Sequence, residues 1–260
     1  QNFRYPFFSA PVGSLKINYQ AGKDMREYND IMISSCVDAG ITALFGDGLE
    51  TDITMRAMEQ SKKMNGLAIP TINPWNMDRI FEEIDMANEA KCFALAVVID
   101  SAGLPFLKHY NPDAGSKTVP QLKEMVARAD MPVIIKGIMT VKGAEKALEA
   151  GASAIFVSNH GGRVIAGGAS TAEVLPEIVK AVDGRAKIFV DGGIRSGLDV
   201  FRALALGADA ALICRPFVVA YHGGAREGIQ SYIEKIGSEL RDTMYMCGAR
   251  SLADISPDML

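Results

Sequence analysis

Cysteine is scarce and scattered: the four in this 260-residue chain, Cys36, Cys92, Cys214 and Cys247, form no Cys-x-x-Cys pair. That spacing argues against a zinc site and against a disulfide framework, and it fits a reducing cytoplasm. Long apolar runs are missing too. The apolar segments are short and interrupted, and none reaches the ~20 residues that cross a bilayer, so no membrane span is expected. Nor is there an excess of basic charge: the formal net charge is −4, whereas nucleic-acid binding usually demands a clustered basic face. Any anion that matters is therefore small and locally bound. No linker or low-complexity tract divides the chain, and no basic-then-apolar leader opens it at Gln1. With no initiator methionine, the expectation is a chain that lacks a preceding N-terminal segment.

What the chain does contain is repetition. Short β-branched or aromatic runs alternate with longer helical segments, the pattern of βα units around a parallel sheet. Eight strands are predicted, at Phe7–Ala10, Thr42–Phe45, Leu67–Thr71, Ala94–Ile99, Val133–Lys136, Ala154–Val157, Ile188–Val190 and Ala210–Ile213. Between them lie amphipathic segments such as Met77–Glu89, Val141–Ala150 and Gly197–Leu206, with apolar residues near the three-to-four spacing. Ala147-Leu-Glu-Ala-Gly-Ala-Ser-Ala returns as Ala203-Leu-Ala-Leu-Gly-Ala-Asp-Ala, each time a helix end, a glycine turn and a new strand. An open doubly wound sheet also uses parallel strands. Eight consecutive units without an antiparallel interruption favour closure, so the expected fold is one α/β domain, a (β/α)8 TIM barrel over residues 1–260.

In such a barrel the active site gathers at the C-terminal ends of the strands. Polar residues do follow each apolar run: Pro11-Val12-Gly13, Gly46-Asp-Gly48, Asn73, Asp100, Lys136-Gly137, Ser158-Asn-His-Gly-Gly-Arg163, Asp191-Gly-Gly-Ile-Arg195 and Cys214-Arg-Pro216. Any one of these is unremarkable in a loop; the coincidence at eight strand ends is what carries weight.

The last two loops suit a phosphate. Gly193 can expose backbone N–H groups, and Arg195 and Arg215 can fork onto phosphate oxygens, where the bland alternative is two glycine turns with solvated arginines. His160 can accept a proton near neutral pH, and Arg163, three residues on, can hold a carboxylate bidentately. Lys136 at the strand-five end either faces an anionic partner or reaches past it to water. For Asp100 three roles stay open: orienting His160, capping the next helix, or pairing with Lys136. His109 and His222 lack comparable neighbours and are expected to be structural or surface residues.

Taken together, Lys136-Gly137, Ser158-Asn-His-Gly-Gly-Arg163, Asp191-Gly-Gly-Ile-Arg-Ser-Gly197 and Arg215-Pro216 resemble the FMN-dependent 2-hydroxy acid oxidases and dehydrogenases. The resemblance is strong over Pro132–Pro216 and looser elsewhere, and it is closest to short members from anaerobic bacteria, which carry a further N-terminal segment. It implies FMN as cofactor and a small 2-hydroxy acid as substrate, with an unidentified electron acceptor and a homo-oligomer, a tetramer or octamer. By position it makes His160 the base, Arg163 the carboxylate anchor, Asp100 the partner of His160, and Lys136 a neighbour of the flavin N1/O2 edge. Pro11, Val12, Gly13 and Ser158 would lie along the flavin. Asp191 would hold the ribityl chain or phosphate loop, and Gly193, Arg195, Cys214 and Arg215 would lie at the phosphate.

Departures from the family pattern are local. Thr71, Asn73, Pro74 and Trp75 stand where the family has a glutamine and a tyrosine after strand three, Val164-Ile-Ala166 replaces Gln-Leu-Asp, and Cys214 replaces a glycine. The expected reaction is proton removal by His160 with either hydride transfer to flavin or carbanion formation at the α-carbon. A non-oxidative FMN enzyme, isomerase-like, and a flavin-binding protein without turnover are the competing expectations.

Overall fold

The apolar runs fold as strands buried on both faces, as a parallel sheet covered by helices requires. The computed structural model describes residues 1–19, 23–48 and 50–260. The strands are β1 Phe7–Ser9, β2 Leu44–Gly46, β3 Ile69–Ile72, β4 Leu95–Val98, β5 Val133–Ile138, β6 Ala154–Val157, β7 Lys187–Val190 and β8 Ala210–Ile213. The helices between and after them are α1 Leu15–Tyr19, α2 Met25–Asp38, α3 Thr51–Lys63, α4 Met77–Glu89, α5 Pro105–Tyr110, α6 Val119–Arg128, α7 Val141–Glu149, α8 Thr171–Val182, α9 Gly197–Ala205 and α10 Arg215–Met246.

All pairings are parallel, in the order β1-β8-β7-β6-β5-β4-β3-β2. The ring closes where Ser9 bridges Ala43, just ahead of β2. This is the expected TIM barrel, in one domain. Its core lies between the strands and the inner faces of the helices, with Ile33, Ile80, Phe201, Phe217 and Tyr221 fully covered. No described helix is long and apolar enough to cross a membrane.

β6 and β8 fall at the expected bounds and the other strands shift by one or two residues at one or both ends, with one informative case. The expected fifth strand stops at Lys136, but β5 runs on to Ile138 because Gly137, at φ 105°, forms a bulge that restores pairing between Ile138 and Val157. That bulge turns the Lys136 side chain into the barrel mouth and brings the backbone against Asp100.

Helix starts hold the site loops. Ser196 and Asp199 form a capping box at the start of α9, and the same Asp199 carboxylate accepts the Arg195 backbone N–H at 3.0 Å. Ser170 and Glu173 do the same for α8. From there Thr171 donates its hydroxyl to the Asp191 carbonyl, and its side chain lies so close to Gly192 (φ 103°) that a Cβ there would sit 2.7 Å from the Thr171 oxygen. The strand-seven loop is thus clamped from both flanking helices.

Candidate active site

Three buried or half-buried groups form a chain across the mouth. The Lys136 ammonium donates to Ser158 Oγ at 2.8 Å and lies 3.6 Å from the Asp191 carboxylate, while the Ser158 hydroxyl donates to Asp191 at 3.0 Å. Lys136 does not reach water: it is 3 % exposed, and its ammonium sits 4.6 Å from the centre of the Phe156 ring. A cation so enclosed needs its carboxylate partner, and Asp191 provides it.

His160 is held at both ends. Its backbone N–H donates to Ser158 Oγ at 3.1 Å, and its ring Nδ1 lies 3.0 Å from Asp100 Oδ1. An N–H on Nδ1 facing the carboxylate leaves Nε2 as the proton acceptor, and the side chain is 36 % exposed, so that nitrogen is accessible. The backbone at His160 is left-handed, φ 56°, the strained geometry found at sites that the surroundings over-determine. Asn159 supports it by accepting the Gly162 N–H at 3.1 Å and donating to the Ala169 carbonyl at 3.1 Å. Asp100 lies against His160, caps no helix with its side chain, and leaves Lys136 to Ser158 and Asp191.

Gly137 makes that arrangement possible. A Cβ there would stand 2.6 Å from the Asp100 Cβ, in a backbone conformation that side chains rarely adopt. Gly137→Ala is therefore expected to lower stability by at least about 1–3 kcal/mol from backbone strain alone and to push Asp100 away from His160. A urea-denaturation midpoint equal to wild type would contradict this.

Arg163, Arg195 and Arg215 form no ion pair among the described residues, although the chain's other exposed arginines commonly do. The Arg215 guanidinium lies 4.0 Å from where a Cβ on Gly161 would be, so the strand-six and strand-eight loops meet. Arg215 also opens α10, whose N-terminal N–H groups favour an anion. Val12 and Gly13, which follow Pro11, lie over the β2 end, where a Cβ on Gly46 would be 3.0 Å from their backbone. Cys214 is half-buried at the α10 start. His109 lies against the Tyr110 ring and His222 bonds the Val218 carbonyl.

Two features were not anticipated from sequence. Tyr19, at the end of α1, places its hydroxyl 3.9 Å from Cys214 Sγ. Its phenol is pushed up to about 12, chiefly by burial and then by Cys214, with Arg163 and Arg215 pulling the other way. The second is a polar cluster at the β2 and β3 ends, in which Asp47 accepts from Asn73 and from the Trp75 indole while Arg79 stacks on Trp75 at 3.9 Å and pairs with Glu83 at 2.9 Å. Burial, and then Glu83, push the Asp47 carboxyl upward against its hydrogen-bond donors.

A TIM barrel that gathers a carboxylate-supported histidine, a buried lysine and arginines without ion-pair partners among the described residues at its C-terminal strand ends has the layout of a barrel enzyme. The comparisons narrow it: this chain belongs to the FMN-dependent dehydrogenase family, which it matches over residues 23–260. It is 48 % identical over 131 residues to an L-lactate dehydrogenase of Vibrio parahaemolyticus serotype O3:K6, a match covering 50 % of this chain and 35 % of that protein. A 4-hydroxymandelate oxidase of Amycolatopsis orientalis is 46 % identical over 126 residues, 48 % of this chain and 35 % of the relative. The chain thus matches about a third of the length of these curated relatives. Among solved structures, a mandelate oxidase variant with the monooxide FMN adduct superposes with a TM-score of 0.78 at 30 % identity, covering 96 % of this chain and 77 % of that one. Mandelate oxidase with 3,3-difluoro-2-hydroxy-3-phenylpropionic acid gives 0.79 at 28 %, covering 96 % and 77 %.

The family's cofactor is FMN, and the residues present fit it. Ser9 Oγ, Thr71 Oγ1 and Asp191 Oδ1, all at strand ends around the mouth, are buried without a hydrogen-bond partner. Groups of that kind are otherwise costly to leave unmade, and the polar edge and ribityl chain of a flavin can satisfy them. The space where a Cβ on Gly193 would project is open, two residues before Arg195, which suits a phosphate approaching the backbone.

Proposed function

We propose that this chain oxidises small 2-hydroxy acids to 2-oxo acids. The observation that carries the reading is His160, fixed by Asp100 at 3.0 Å with its other ring nitrogen accessible, three residues from an arginine that has no ion-pair partner among the described residues. Arg163 holds the substrate carboxylate. His160 takes the hydroxyl proton, and Asp100 keeps the imidazole in the correct tautomer and stabilises its protonated form. FMN, when bound, supplies the two-electron acceptor that no side chain here can provide. Gly193, Arg195, Cys214 and Arg215 are proposed to hold its phosphate, Asp191 and Ser158 its ribityl side, and Pro11, Val12 and Gly13 to lie along its ring.

Lys136 is proposed to place its charge beside the flavin. Lys136→Met is expected to lower the flavin reduction potential, because the reduced, anionic form loses a nearby cation. Potentiometric titration of the folded variant reads this directly, and an unchanged potential would return Lys136 to a purely structural role.

The wider setting proposed is a cytoplasmic homo-oligomer, supported by the four free cysteines and by exposed Val219, Tyr245 and Met246 on α10. The function itself is tested by incubating the FMN-loaded protein with a 2-hydroxy acid panel and an artificial electron acceptor. Formation of the matching 2-oxo acid is expected, and its absence across the panel would sink the proposal.

A further inference from the structure

Asp47 and Glu83 are buried acids outside the groups assigned to catalysis and cofactor. They are 4 % and 3 % exposed, the first directly after β2 and the second in the middle of α4. Their side chains stand in hydrogen-bond contact with each other. An ionised carboxylate only accepts hydrogen bonds, so two of them in contact repel unless a proton lies between them.

The donors around the pair are already committed. Asp47 accepts the Asn73 backbone N–H at 2.8 Å, the Asn73 side-chain amide at 2.5 Å and the Trp75 indole N–H. Glu83 Oε1 accepts from Arg79 Nε at 2.9 Å, and Arg79 gives a second N–H to the Gly48 carbonyl at 3.0 Å. Glu83 Oε2 is buried and has no donor. Among the described residues no other arginine or lysine pairs with either acid. On α4, Glu82 and Asp78 line the cavity beside Glu83 and add negative charge, while Thr51 of α3 and Asn111 line it without charge. On the strand-four side, Asp100 stands beyond Ser101, and Lys117 is turned to the Pro74 and Gly115 carbonyls at 3.2 and 2.6 Å.

We propose that Asp47 and Glu83 hold one proton between them, and that this proton locks the loop after β3 until alkaline pH removes it. The shared proton gives Glu83 Oε2 its missing partner and leaves one negative charge for Arg79 to balance. Burial pushes both carboxyls upward, so the pair keeps its proton where free carboxyls are ionised. Loss of the proton sets two buried charges against one arginine, and what gives way is the segment that Asp47 ties down, Asn73 to Trp75. Asn73 also accepts the Ser101 hydroxyl at 3.4 Å, so the turn that carries Asp100 is fastened to the same lock. Over this interval the folded chain binds a proton that the unfolded chain has lost. The pair's contribution to stability is therefore largest in acid and drains away as pH rises to the folded value. The lock is independent of the reaction proposed above.

Trp75 is the chain's single tryptophan, fully buried, and its indole N–H donates to Asp47, so one indole resonance reports on the pair. Followed by NMR in the FMN-loaded, nitrogen-labelled protein from about pH 5 to about pH 10, it is expected to move in a step above the ordinary carboxylate value of about 4. Glu83→Gln is expected to abolish the step, because the glutamine oxygen keeps Arg79 and its amide gives Asp47 a permanent N–H. The same variant is expected to keep its urea midpoint at the alkaline end of the range, where that of wild type falls. Asp47→Asn, which removes the other acid, is expected to flatten the midpoint in the same way and serves if Glu83→Gln folds poorly.

An indole resonance that does not move in wild type overturns the proposal. A step that survives unchanged in Glu83→Gln also overturns it, by assigning the titration to another group, as does a midpoint that falls with pH as steeply in both variants as in wild type.

Discussion

Replacing His160 with alanine is expected to slow flavin reduction by 2-hydroxy acid about 10²–10⁴-fold, the usual contribution of a positioned base, while substrate still binds. The split follows from the geometry. His160 is tied to Asp100 and Ser158 and offers only its accessible nitrogen to a ligand, whereas the carboxylate is assigned to Arg163, which stays in place in the variant. Arg163→Ala is expected to fail differently, with affinity and rate falling together. Arg163→Lys should recover only part of the loss, because an ammonium cannot reproduce the planar fork. Stopped-flow bleaching against substrate concentration separates the two cases. Parental rates in His160→Ala would mean that the base has been misassigned.

Replacing Arg195 and Arg215 together with alanine is expected to weaken FMN binding by about 10²–10⁴-fold, since each charge-assisted hydrogen bond to a dianionic phosphate is worth a factor of ten or more. Neither arginine has an ion-pair partner among the described residues, so their loss leaves no carboxylate orphaned and the fold should be unaffected. Arg195 is held at its backbone by Asp199 and by the Tyr232 hydroxyl, contacts that the substitution preserves. Fluorescence titration of the apoprotein with FMN measures the change. A double variant that retains the flavin through gel filtration at low concentration would place the phosphate elsewhere.

The barrel was legible because the strands, β7 with exposed Lys187 and half-buried Phe189 aside, are buried on both faces, so their residues read as short continuous apolar runs between turns. β5 was cut short for a physical reason: a glycine after Lys136 reads as a strand end, but Gly137 continues the strand as a bulge. The groups proposed for the strand-six to strand-eight loops could be picked out in sequence because they are local, packed within Ser158–Arg163, Asp191–Arg195 and Cys214–Pro216. Asp100 was ambiguous in sequence, since its three candidate partners are all plausible until the distances are known. The Asp47 cluster was invisible for the opposite reason: its partners lie 26 and 28 residues away at the neighbouring strand end, and only the parallel pairing of β2 with β3 joins them. Tyr19 and Cys214, 195 residues apart, meet for the same reason, across the β1–β8 seam.

The most direct measurement is the visible spectrum of the FMN-loaded protein before and after anaerobic addition of 2-hydroxy acids. The account predicts a yellow protein whose flavin absorbance bleaches with at least one of them, and bleaches far more slowly in His160→Ala. Flavin that stays bound and fully oxidised with every acid would contradict it, and would leave a flavin-binding or non-oxidative protein on the same barrel.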